Sequence, residues 1–487
     1  MAKKTNSPRR KKGQGLHDDE NIKSNGNNIE LLPEDHTIAD SQTTDFSYLN
    51  DDFNSDNEED NGIDEDDLLA HGVRETDNAE AAAASRESRL AEVVASMDEF
   101  ASEKRSAKRE ARLKRLFKGL SQYATGRSAS ELLASQQNSL RMSCLYSLRQ
   151  GSPSEQYAAC RVIEVLSVVL GADQEEWVDS IAKYLERVVQ VITRAVPVRV
   201  AALRAWAMSV FICANNGQAS ENLMDYCENV AQESFRNETT PVALRAAALD
   251  SWTLLATTVE DVFLAGQDDA QIGRGVAILN LLKDCLDSSS VELRSASGEA
   301  LSLIHEARLN LGCDVETSEN TTDRQYRRGT WEGSSWEELM DEVKQRIAEL
   351  SVESGRSLSK KKRKEQRATF RDYVSTIVDD EAPEDIVSFR NGSQLTLGTW
   401  REIVQLNFVR HCLQSGFQIQ LMTNQTLQFM FGADGELLNG NGGLSQLEKR
   451  LYMSKGSEAS KEAHIDLTRR RDKRENVKNY FLNADGE

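Results

Sequence analysis

The sequence predicts an all-α protein in which helix pairs stack into a solenoid, followed by a small, mainly helical C-terminal domain with a short β-hairpin. The first observation is a loose repeat between residues 130 and 310: "QYAACRVIEVLSVVL", "VRVAALRAWAMSVFI", "LRAAALDSWTLLATT" and "LRSASGEALSLIHEA" can be laid over one another. Ile163, Trp206, Trp252 and Leu301 then fall in register at spacings of 43, 46 and 49 residues, the period of HEAT or armadillo helix pairs. The second is composition: six prolines in 487 residues and an aromatic share of 6% suit a helix-rich chain diluted by polar tails. The third is the run "DIVSFRNGSQLTLGTW", where apolar residues flank an Asn391-Gly392 turn of the kind that joins two short strands.

Residues 1–85 form a leader with a basic start (Arg9, Arg10, Lys11, Lys12) and then an acidic tract, "DDFNSDNEEDNGIDEDD". It lacks apolar periodicity and is predicted to be disordered. Residues 17–85 hold 21 Asp plus Glu against Lys23 and Arg74, which accounts for −19 of the net charge of −20. The remainder is nearly neutral, so cationic patches elsewhere can approach a polyanion.

Residues 86–312 are assigned to the helical-repeat domain, with Pro197 and Pro241 placed where they start a helix and cannot continue the one before. Ala201, Ala202, Ala246, Ala247 and Ala248 let neighbouring helices approach closely. A single repeat cannot bury its apolar face alone, so the units stack. Residues 313–334 read as a linker, and 335–378 as a helical extension opened by a capping box of Ser335 and Glu338. Residues 379–432 form the small C-terminal domain, 433–443 a Gly and Asn-rich hinge, and 444–487 a basic C-terminal helix.

Whole classes of function are disfavoured. No run of 18 to 20 uncharged apolar residues is present and the N-terminus lacks a signal-peptide core, so an intracellular protein without a membrane span is expected. Seven scattered cysteines contain no C-x-x-C and read as small buried apolar residues. The six histidines are dispersed; His305 and His411 fall on amphipathic helices, where packing roles are expected, and no ligand spacing suggests a metal. "IGRGVA" lacks the third glycine and the acid of a dinucleotide site. We find no catalytic constellation, and expect neither cofactor nor small-molecule substrate.

Two basic segments are candidate sites. Residues 356–371 hold eight Lys or Arg against Glu365 alone; within them Lys360, Lys361, Lys362, Arg363 and Lys364 read as an RNA contact, a nuclear import signal or a solvated helix end. The second is "KEAHIDLTRRRDKREN". Leu444, Leu447, Leu451 and Tyr452 provide an apolar stripe before it, but no apolar residue lies between Leu467 and Val477. Arg470, Arg474 and Lys478 follow at helical spacing with Arg471 beside them, making a cationic ridge. Asp466 with Arg470 and Arg471 with Glu475 are i,i+4 pairs worth a few tenths of a kcal/mol each. They leave Arg469, Lys473, Arg474 and Lys478 without a partner at that spacing. Solvated helix and phosphate contact both fit these residues; the second would be salt-dependent and independent of base readout.

Four stretches, in order and spacing, carry a family resemblance: "LRSASGEALSLIHEA", "KKKRKEQRATFRDYV", "TWREIVQLNFVRHCLQSGFQIQLMTNQTLQFMFG" and "LSQLEKRLYMSKGSEASKEAHIDLTRRRDKREN". Through them the chain resembles the interferon-related developmental regulators over residues 105–476. The resemblance implies a helical-repeat domain, a small C-terminal domain and no enzymatic activity. Members of that family are described as ribosome-bound repressors of translation and as nuclear co-regulators of transcription. In the first description the C-terminal helix lies near ribosomal RNA and the mRNA path, a role that falls here on the stretch around Arg469 to Lys473. The expected partner is therefore the ribosome and its RNA, in the cytoplasm. The alternative is a nuclear scaffold whose solenoid groove binds protein partners while the acidic leader recruits transcription machinery. A glycine-rich insertion before Leu444 and the acidic leader depart from the family pattern and leave the placement of the last helix open.

Overall fold

The computed structural model describes residues 77–215, 217–268, 271–313, 334–352, 360–389 and 394–432, all within one compact unit. Most of the leader, nearly all of the 313–334 linker, the hinge and the basic C-terminal segment lie outside these residues.

Helices alternate between two layers. One holds α1 (Asp77–Ala95), α3 (Gly126–Gln150), α5 (Glu175–Gln190), α7 (Gly217–Ala231), α11 (Leu279–Leu286) and α13 (Ser334–Val352). The other, here the inner layer, holds α2 (Ser106–Tyr123), α4 (Pro153–Leu170), α6 (Val196–Cys213), α8 (Val242–Ala256), α12 (Val291–Cys313) and α14 (Lys360–Ile377). Each inner helix packs on its outer partner and on the next inner helix. Two short helices, α9 (Asp261–Ala265) and α10 (Arg274–Ala277), lead into α11. The stack thus continues beyond residue 312: the 335–378 segment is one more helix pair, docked on α12.

Local chemistry sets the boundaries. Ser152 caps α4 by accepting the Glu155 N–H at 3.3 Å, with Pro153 in the first turn. Pro197 lies in the first turn of α6 and Pro241 immediately precedes α8. An arginine at the same repeat position locks two of the pairs, α5–α6 and α7–α8: Arg199 Nε donates to the Val189 carbonyl and Arg245 Nε to the Ala231 carbonyl, both at 2.8 Å. Each satisfies a terminal carbonyl of the preceding outer helix that has no intrahelical partner. α6 is long and apolar enough to pass for a membrane span by composition, yet it sits mid-stack, largely buried, and carries Arg199 and Arg204. A helix apolar on all sides is what a central position requires.

Three antiparallel strand pairs occur among the described residues. β1 (Ser234–Phe235) and β2 (Glu238–Thr239) flank Arg236 and Asn237, both at positive φ, as a two-residue hairpin demands. β3 (Gly266–Asp268) pairs with β4 (Gln271–Ile272). β5 (Asp385–Ser388) pairs with β6 (Gln394–Leu397), with Val387, Leu395 and Leu397 turned inward. This is the hairpin predicted around Asn391-Gly392. Beyond it come α15 (Trp400–Leu413), α16 (Phe417–Thr423) and α17 (Gln425–Met430), an arm that packs on the inner layer. The all-α repeat architecture with a small C-terminal domain is therefore what the sequence predicts. Cys144, Cys160, Cys213, Cys227, Cys285 and Cys412 are free and buried, and burial pushes the Cys144 thiol up to about 12.

The α12–α14 junction depends on one close approach. A Cβ on Gly298 would meet Tyr373 Cε2 at 2.4 Å, and that ring is pinned by its own hydroxyl, which donates to the Ser295 carbonyl at 3.1 Å. Phe370 and Trp400 hold it from two further sides, so it cannot move aside. Gly298→Val is expected to lower stability by about 1–3 kcal/mol, the typical cost of overpacking, and to hasten proteolytic cleavage within 353–389. Urea unfolding and limited proteolysis check both.

Candidate functional site

The aligned repeats place one column of ionisable residues two positions before the register residues: Arg161, Arg204, Asp250 and Glu299. They stand on four successive inner helices and are 1%, 5%, 2% and 4% exposed. Charges removed from water need partners. Arg204 Nη2 reaches Asp250 Oδ2 at 3.1 Å, and Arg161 Nη1 pairs with Glu164. The Arg161 guanidinium also lies over the Phe117 ring. Further partners come from α15, more than a hundred residues downstream.

α15 is gripped at both ends. At its start Thr399 caps the helix by accepting the Glu402 N–H at 3.2 Å, and the Glu306 carboxylate accepts from the Trp400 N–H at 2.8 Å and the Arg401 N–H at 3.3 Å. At its end Arg161 Nη2 donates to the His411 carbonyl at 2.9 Å and the Cys412 carbonyl at 3.1 Å. An anion at the N-terminus and a cation at the C-terminus both match the helix dipole. Between them Asn407 and His411, one turn apart, face the column: the Asn407 side chain hydrogen-bonds Glu299, and His411 Nε2 lies 3.5 Å from Arg161 Nη1 and 3.3 Å from Arg204 Nη1.

The protonation states follow. Burial, reinforced by two guanidiniums, holds His411 well below the usual imidazole range; with Nε2 facing donors, the proton of the neutral ring belongs on Nδ1. Burial pushes Asp250 up to about 6 against the pull of Arg204. It pushes Glu299 up to about 8, helped by the negative field of Asp250 and opposed by Asn407. Glu299 therefore keeps its proton at neutral pH.

The rest of the arm caps inner helices. Arg401 Nη1 donates to the Thr257 carbonyl and, at 3.1 Å, to that of Val259, just past the end of α8, while its Nη2 meets Asp261 at 2.6 Å. After Gln414, at φ 49, the chain turns. Gly416 then approaches so closely that a Cβ would lie 2.3 Å from the Ser121 carbonyl oxygen. Gln420 Nε2 donates to the carbonyls of Leu120, Ser121 and Ala124 at the end of α2, and Asn424 Nδ2 to Val168 near the end of α4 at 3.1 Å. The arm thus crosses the inner helices in reverse chain order, from α12 to α2, and its last described residue is Gly432.

The candidate residues Arg469, Arg470, Arg471, Lys473, Arg474 and Lys478 lie outside the described residues. Lys360, Lys361, Lys362, Arg363 and Lys364 form the start of α14, with side chains outside the description. The buried column was not read from the sequence, although the repeat alignment contains it: four ionisable residues in one position of otherwise apolar helices are the signal. His411, expected to serve packing, is a polar register element. Among the described residues no group of three or more His, Cys, Asp or Glu is placed to hold a metal.

A family model described as interferon-related developmental regulator matches residues 51–378, ending just after α14, so that the arm lies beyond it. The chain is 22% identical over 379 residues to interferon-related developmental regulator 1 of pig (Sus scrofa), covering 75% of this chain and 77% of the relative. It is 26% identical over 345 residues to interferon-related developmental regulator 2 of mouse (Mus musculus), covering 68% and 71%. An uncharacterized protein of Schizosaccharomyces pombe is 25% identical over 187 residues, 37% of this chain and 38% of its own length.

Glu299 makes the protonation argument testable. Its native carboxyl titrates near 8, far above the ordinary 4.3 of an unfolded chain. The native state therefore binds the extra proton, and this contribution to stability is complete below the unfolded value and is lost as pH rises through about 8. Glu299→Gln mimics the protonated acid and does not titrate. Its stability relative to wild type should improve between pH 5 and pH 8.5 by on the order of 4 kcal/mol, nearly three pH units at about 1.4 kcal/mol each; His411, common to both proteins, cancels in the difference. Urea denaturation at the two pH values measures it.

Proposed function

The chain belongs to the interferon-related developmental regulator family, and on that footing we propose that it is a non-enzymatic, ribosome-binding repressor of translation acting in the cytoplasm. Its helical-repeat body docks on the particle, and the basic C-terminal segment, through Arg469, Arg470, Arg471, Lys473, Arg474 and Lys478, contacts ribosomal RNA. Repression follows from occupying space needed by mRNA or tRNA.

The observation that carries this reading is the fixed seat of the arm. Because α15 to α17 are bonded to the inner helices, the last 55 residues start from a rigid point at the α2–α4 end of the stack instead of from a loose tail. The same arm covers the inner layer that the scaffold reading offers to protein partners, so that reading requires displacement of the chain's own helices. Contacts made by cations to phosphates also fit recognition of RNA by shape.

Sedimentation with ribosomes tests the proposal. At low salt the full chain should co-sediment, and a variant with all six C-terminal cations changed to Gln should be depleted from the pellet roughly tenfold or more, as expected when several phosphate contacts are lost. Absence of the full chain from the pellet, or an undiminished variant, would refute it.

A further inference from the structure

A second cationic surface lies on α2. Residues 104–118 hold eight Lys or Arg against Glu110 alone. Arg109 is buried against Glu155, Arg112 pairs with Glu99 at 3.0 Å and Lys114 with Glu110 at 3.4 Å. Five remain, Lys104, Arg105, Lys108, Arg115 and Lys118, all exposed; Lys104 and Arg105 just precede the helix, and Lys108, Arg115 and Lys118, with Ala111, follow the three-four-three spacing of one helical stripe. Glu103 comes within 3.7 Å of Lys108. Among the described residues Lys104, Arg115 and Lys118 have no ion-pair partner.

A terminal repeat of any solenoid must present a polar face to water, and that alone would account for exposed charge here. It would not account for a single sign, since a mixed surface is equally soluble and avoids like-charge repulsion along the helix. The stripe also has a defined neighbour. α16 and the Gly416 before it pack on the C-terminal end of α2, through Gln420 and the close approach of Gly416, so the arm runs along the same end of the stack.

We infer that the exposed cations on and just before α2, Lys104, Lys108, Arg115 and Lys118, form a second docking surface for the phosphate backbone of structured RNA. The inference rests on the ribosome reading for the source of that RNA, though not for the chemistry of the stripe. Lys108 to Lys118 span about 15 Å of helix at 1.5 Å per residue, and with Lys104 before the helix the surface meets several successive phosphates. It gives affinity and orientation without base readout.

The experiment compares three forms of the full chain on a duplex RNA of about 20 base pairs and on purified ribosomes, over roughly 50 to 200 mM salt. These are wild type, the stripe variant Lys104→Gln, Lys108→Gln, Arg115→Gln, Lys118→Gln, and the variant with the six C-terminal cations neutralised. Losing four phosphate contacts should flatten the dependence of log K on log salt by about 3 and weaken binding at least about tenfold. A charge-preserving variant, Lys104→Arg, Lys108→Arg, Lys118→Arg, should keep the wild-type slope, which separates charge from any effect on folding. A stripe variant with wild-type slope overturns the inference, and if the C-terminal variant alone loses binding, the proposed function survives without it. A stripe variant that loses the RNA slope while the C-terminal variant binds ribosomes normally upholds the inference and defeats the residue assignment of the proposed function. Competition by polyglutamate as strong as that by RNA at equal charge also overturns it, because the stripe would then fit an acidic protein segment.

Discussion

Everything distinctive in this fold depends on how α15 is held. Its N-terminal amides close on Glu306 from α12, and its C-terminal carbonyls close on Arg161 from α4. The two anchors belong to helices far apart in the stack, so a helix of fixed length spans the intervening pairs. Capping of this kind satisfies groups that would otherwise be buried without partners, and its polarity agrees with the helix dipole at both ends. Reversing α15 would set Glu306 against carbonyls and Arg161 against amides, so direction is specified as well as position.

The buried column explains register in the same terms. Replacing buried ion pairs with apolar residues is often neutral or stabilising, so Arg204 with Asp250 is poor evidence of stability for its own sake. A better account is selectivity. Asn407 matches Glu299 while His411, one turn on, matches two arginines. Sliding α15 by a turn would bring Asn407 under the guanidiniums and leave Glu299 beside apolar atoms. The apolar residues around them, Trp400, Leu406, Val409 and Leu413, all nearly inaccessible, supply the burial. The polar pairs then choose among registers that burial alone would leave nearly equal.

The sequence revealed the repeat because Trp206, Trp252 and Leu301 recur at a nearly constant spacing in apolar helices, and it revealed the hairpin because Asn391-Gly392 has few other uses. It did not reveal that residues 335–378 add one more pair to the stack: Tyr373 can pack against α12 only because Gly298, on that helix, makes room. Nor did it reveal the path of the arm. α15 is buried on most sides, so it carries no amphipathic stripe to say which surface it meets, and its partners lie more than a hundred residues upstream. The expectation that His411 sits on an amphipathic helix in a packing role therefore does not hold, and its role becomes visible when the charged column is assembled in space.

The arm ends its described course, at Gly432, beside the end of the stack where α2 carries exposed cations. The most direct test of the account is hydrogen exchange of the α15 amides from 403 to 413. If the helix is held by Glu306, Arg161 and the column, these amides should exchange only with the opening of α4 and α6, at matching protection. Exchange in α15 that is fast while α4 and α6 stay protected would mean that the arm leaves the inner layer readily, and would contradict the account.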